Sequence, residues 1–152
     1  MGFSLIGTLI GILVLMPSIL FFIKYPPRNV PVDAPSVGFF YISLEKIGQI
    51  LCLTVLVSSK ESFQDVQVNI WVLLLVLSLI VYYCLWIRYI NNGHDYSWLW
   101  KPFLFIPIPL AVFPIATFGF TAIWIQSYWL GGAVVILAIG HLTVSWKNSN
   151  YA

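Results

Sequence analysis

An all-α integral membrane protein, a bundle of five transmembrane helices, is the fold class this sequence predicts, and three observations predict it. Of 152 residues, 61% are hydrophobic and only 8% are charged, against roughly a quarter charged in ordinary soluble domains. Apolar stretches recur that are long enough for the about 20 helical residues a hydrocarbon core requires. Seven Lys and Arg with five Asp and Glu cannot clothe a water-soluble fold of this length, so the lipid bilayer has to be its solvent and first partner. The net charge of +2 comes from basic residues scattered singly, which leaves no basic stripe and excludes a nucleic-acid partner.

The whole chain, 1–152, reads as one transmembrane domain with spans at 3–23, 37–58, 69–90, 102–125 and 128–145. The first has no basic segment before it, a long apolar run and no small-x-small site after it, so it reads as a retained span rather than a cleaved signal. Its Gly7 and Gly11 have the spacing that lets helices approach closely. The loop that follows, Tyr25 to Pro35, holds four prolines in eleven residues and is expected to be extended. Between spans three and four, Asn91 to Ser97 carries ordinary turn chemistry in its Asn-Gly and His-Asp pairs. From Pro102 to Ser145 there are 44 residues without Lys, Arg, Asp or Glu, enough for two helices with a turn at Gln126-Ser127. Pro107, Pro109 and Pro114 must kink or break the fourth span, because each removes a backbone donor and clashes one turn back. The alternative architecture is four spans plus a re-entrant segment at these prolines.

Basic residues orient the bundle, since Lys and Arg favour cytoplasmic loops. Five spans put Lys24, Arg28, Arg88, Lys101 and Lys147 on one face and Lys60 on the other. The expected location is thus a multi-pass protein of the cell membrane with its N-terminus outside and its C-terminus cytoplasmic. Lys46, inside the second span, can snorkel to the basic face. Trp98, Trp100, Trp124, Tyr128 and Trp129 read as interfacial anchors.

This register gathers the polar intramembrane residues toward the basic end. At about 1.5 Å per residue, Glu45 lies about 10 Å inside that boundary, Gln49 about 16 Å and His141 about 6 Å, with Tyr82, Tyr83, Trp86 and Arg88 within about 12 Å. Glu45 is the acidic residue inside a span, where an ionised carboxylate is costly and faces a bundle interior or wet cavity. Tyr41, Glu45, Gln49 and Cys52 share one helical face, and Gly48 beside them makes room for a neighbouring backbone. The candidate ligand-binding set is therefore Glu45, Gln49, Tyr41, Tyr82, Tyr83, Trp86, Arg88 and His141, joined by carbonyls freed near Phe103 and Phe105. The purely structural alternative pairs Glu45 with Arg88 or Lys46.

No phosphate loop, zinc-protease helix, nucleophile elbow or Cys-x-x-Cys pair is present. No cofactor or catalytic residue is assigned, and two separate histidines give no metal site. Cys52 and Cys84 fall at different depths and are expected unbridged. Three functions remain: binding or transport of a small or amphipathic molecule through a polar cavity open to the cytoplasm; an enzyme acting on a lipid or isoprenoid with Glu45 as general acid or base; and a non-catalytic accessory or immunity protein packed against a membrane protein partner. Five spans cannot divide into inverted halves, so transport would call for a homodimer.

Overall fold

A computed structural model describes residues 2–32, 37–63 and 67–151; Asp33, Ala34 and Pro35 of the proline-rich loop lie outside them. The described residues form six α-helices and no strand: α1 (Leu5–Lys24), α2 (Phe39–Ser58), α3 (Ile70–Asn91), α4 (Ser97–Trp100), α5 (Pro109–Trp124) and α6 (Tyr128–Ser149), with a 3-10 turn at Glu61–Phe63 after α2. Polar side chains start three of the long helices by accepting otherwise unpaired backbone N–H groups. Ser4 accepts from Gly7 at 3.0 Å, Asn69 from Trp71 at 3.0 Å and Ser127 from Leu130 at 3.2 Å. Gln126, in the left-handed region at φ 50°, makes the turn from α5 to α6.

Four helices, α1, α2, α3 and α6, are long and apolar enough to cross a membrane. Their outward faces carry exposed Leu9, Ile12 and Ile19 on α1 and Leu73, Leu77 and Ile80 on α3, the surface expected of helices solvated by lipid. The fifth helix departs from the expected span 102–125. It is 16 residues long, about 24 Å, short of the about 30 Å of a hydrocarbon core.

The prolines explain the late start. Residues preceding a proline avoid helical backbone, so Ile106 and Ile108, before Pro107 and Pro109, resist joining a helix. Phe103 and Ile106 instead exchange two backbone hydrogen bonds of 3.0 Å around Leu104, which sits at φ 53°. Pro109 then occupies the first turn of α5, where a missing N–H costs nothing, and Pro114 is the single proline inside the helix.

The helices pack as a closed ring in the order α1, α2, α6, α5, α3 and back to α1. Glycines set the closest approaches. A Cβ at Gly48 would lie 2.5 Å from the backbone of Leu137, and one at Gly140 would lie 2.3 Å from the backbone nitrogen of Glu45. The antiparallel α2 and α6 therefore interlock at near backbone contact. Gly7 meets the Leu56 carbonyl and Gly11 the Leu53 side chain, so the spaced glycines of α1 face α2.

One end of the ring is filled by a core that includes Ile10, Cys52, Leu56, Leu75, Phe118, Leu130 and Leu137. The other end, where α1, α3 and α6 finish and α2 and α5 begin, is hollow.

Candidate functional site

A cavity of about 530 Å³ occupies the hollow end of the ring. All five ring helices line it: Ser18 and Phe22 from α1, Glu45 and Gln49 from α2, Tyr82 and Trp86 from α3, Pro114 and Phe118 from α5, and His141 and Asn148 from α6. Trp100 of α4 and Pro27, Val30 and Tyr96 from the two loops complete the wall.

The sequence places the polar residues here through helical periodicity and glycine spacing. Glu45 and Gln49 stand one turn apart on α2, with Gly48 between them against Leu137. Gly140 immediately precedes His141 and rests on the Glu45 backbone. Close contact of the two helices thus carries the Glu45 and His141 side chains to each other, and His141 Nδ1 donates to Glu45 Oε1 at 2.6 Å. The side chains retain 18% exposure at Glu45 and 24% at His141, which leaves the pair accessible from the cavity.

Five of the eight candidate residues, Glu45, Gln49, Tyr82, Trp86 and His141, come together around this cavity. The other three are drawn elsewhere. Tyr41 lies under the Lys147 ammonium, 5.3 Å from its ring centroid. Tyr83 turns to α1 and donates to the Leu13 carbonyl at 3.0 Å. Arg88 donates to the Pro102 carbonyl at 3.2 Å and lies over the Trp98 ring at 4.7 Å, beside Lys101 at 3.7 Å. The pairing of Glu45 with Arg88 or Lys46 is accordingly replaced by the bond to His141.

Phe103 and Phe105 also stand outside the wall, because the segment that carries them turns at the bundle's end, with Phe105 wholly exposed. The carbonyl freed by proline belongs instead to Leu110, four residues before Pro114, and Leu110 does line the cavity. Trp100, read from sequence as an interfacial anchor, is a cavity wall. Its indole N–H and that of Trp86 are buried without an acceptor among the described residues.

Tyr96, Trp100, Ser18 and Asn148 escaped the sequence reading. Tyr96 and Trp100 lie outside any span, and only loop folding brings them in. Ser18 had a readable signal, since it sits close to the basic end of the first span.

Hydrogen bonds clamp the two loops to each other at this end of the bundle. Arg28 N–H donates to His94 O at 2.8 Å and Tyr96 N–H to Arg28 O at 2.9 Å. Asn29 Nδ2 donates to Asp95 Oδ2 at 2.7 Å, and the Tyr89 hydroxyl donates to Tyr25 O at 2.9 Å. Asp95 Oδ1 also accepts from the Ser97 hydroxyl at 2.6 Å and its backbone N–H at 2.9 Å. The Ser97 hydroxyl first, then the Asn29 amide and the Ser97 N–H, hold the Asp95 carboxyl below the usual carboxylate range. Comparisons with protein-family models, with curated proteins and with solved structures find no match.

Proposed function

We propose that this protein is a multi-pass cell-membrane protein that binds, and in a homodimer transports, a small or amphipathic molecule in its cytoplasm-facing cavity. The observation that carries the reading is the cavity itself, about 530 Å³ with an accessible carboxylate–imidazole pair in its wall. Ligand sites of about 300–1,000 Å³ with mostly apolar walls and a few convergent polar groups have this character. Charged side chains inside membranes face such spaces. Orientation rests on the basic residues of the hollow end, which favour the cytoplasmic side.

Native mass spectrometry of protein extracted from its own membrane, compared with an Ile115→Trp variant that fills the cavity, tests the proposal. A bound small molecule carried by the parent and lost from a variant of equal melting temperature is the expected result. Identical spectra for both proteins would overturn it in favour of the accessory reading.

An enzymatic reading draws on the contact between the His141 imidazole and the Glu45 carboxylate. A carboxylate that orients an imidazole in this way equips it as a general base toward water or a lipid hydroxyl. Turnover of a lipid or isoprenoid substrate, lost in both His141→Gln and Glu45→Gln, would support this reading; turnover that survives either substitution would remove it.

A further inference from the structure

The sign of charge in the cavity narrows the class of ligand. Glu45 and His141 are the wall's carboxylate and imidazole, Tyr82 and Tyr96 its phenols, and among the described residues no Lys or Arg lines it. The nearby cations are engaged outside: Lys147 over Tyr41, and Arg88 and Lys101 over Trp98. The Glu45 carboxylate is therefore the acidic group of the wall, with no Lys or Arg opposing it among the described residues, in surroundings of low dielectric. The unpaired indole nitrogens of Trp86 and Trp100 are buried, so they do not offer the ligand a surface that would offset this charge. Aromatic and apolar side chains make up most of the remaining wall, and rings next to a carboxylate favour a desolvated organic cation over a neutral or anionic molecule of the same size.

From this we infer that the cavity selects lipophilic organic cations, with Glu45 as the counter-charge and His141 holding that carboxylate in place. The inference rests on the ligand-binding reading above and adds to it the charge of the ligand.

Tetraphenylphosphonium and tetraphenylborate, ions of matched size and opposite charge, provide the test. Saturable binding of each to the purified full-length protein in a neutral detergent would be measured by equilibrium dialysis at near-neutral pH. The parent should bind the phosphonium at least tenfold more tightly than the borate, and Glu45→Gln should lose at least tenfold of the phosphonium affinity. Lys46→Gln, at an exposed position outside the cavity wall, should keep it.

The comparison between the two ions needs no variant, so a poorly folded Glu45→Gln protein would not spoil the test. Equal affinity for both ions, or preference for the borate, would overturn the cation inference while leaving a small-molecule site standing. Retained phosphonium affinity in a folded Glu45→Gln protein would also overturn it. Saturable binding of neither ion would remove the cation inference, and the native spectra of the cavity-filled variant would decide separately whether the broader reading falls with it.

Discussion

Pro17 and Tyr83 illustrate how individual residues compensate for one another in an apolar surrounding. Pro17 has no N–H, so the carbonyl of Leu13, four residues earlier in α1, loses its helical donor. The Tyr83 hydroxyl of α3 donates to that carbonyl at 3.0 Å. Tyr83→Phe should therefore lower thermal stability by about 1 kcal/mol. In a Pro17→Ala background the loss should shrink, because alanine at that position restores the helical donor, and a double-mutant cycle in detergent measures the difference. Equal losses in the two backgrounds would contradict this account.

Asp95 gives a second prediction at this scale. Its carboxyl is depressed chiefly by the Ser97 hydroxyl, so its contribution to the loop clamp is fully present above the unfolded carboxylate pKa of about 4 and is lost as pH falls through the lower folded value. Protection of the Arg28 and Tyr96 amides from hydrogen exchange, corrected for the intrinsic pH dependence of exchange, should fall on acidification below about pH 4, and Asp95→Asn should remove that change.

At the scale of elements, the contact between α2 and α6 decides whether the site exists. Gly140 faces the Glu45 backbone at a distance no side chain tolerates, whereas Gly132 on the same helix has nothing within 4 Å of a built Cβ. The two glycines should respond oppositely to alanine. Gly132→Ala should be neutral or stabilising by about 0.5–1 kcal/mol, through the backbone freedom it removes. Gly140→Ala should cost about 1–3 kcal/mol or more, since the obstacle is backbone and cannot turn aside. It should also separate Glu45 from His141 and so weaken ligand binding. Thermal unfolding of the two variants side by side checks the claim, and a tolerated Gly140→Ala would mean that the helices are not locked here.

For the whole molecule, the proposed orientation rests on the asymmetry between a filled end and a hollow, basic end. With Cys84, the exposed native thiol, replaced by serine and the buried Cys52 left in place, a membrane-impermeant thiol reagent should label Ser62→Cys from outside intact cells. Asn150→Cys should react only after the membrane is opened. Labelling in the reverse pattern would place the cavity on the outer side and overturn the cytoplasm-facing assignment.

Much of this organisation is legible in the sequence because it depends on local chemistry. Hydropathy marks the long helices to within a few residues, since a helix in lipid must pair its own backbone and present apolar side chains along its length. Gln126-Ser127 is readable as a turn from its polarity in an uncharged stretch. Glu45, Gln49 and His141 announce themselves as misfits in apolar spans, and their depth follows from helical rise alone. Tertiary structure decided what no local signal encodes: that His141 rather than Arg88 meets Glu45, that Tyr41 and Tyr83 turn away, and that Tyr96 and Trp100 enter the wall. Those outcomes depend on which glycines from distant helices interlock and on how two loops fold over the ring. The prolines were visible, but whether they bend a span or delay its start depends on what the neighbouring backbone can bond. Residue type and spacing thus fix the inventory of groups near one end of the bundle, and the packing of helices far apart in sequence determines which of them touch.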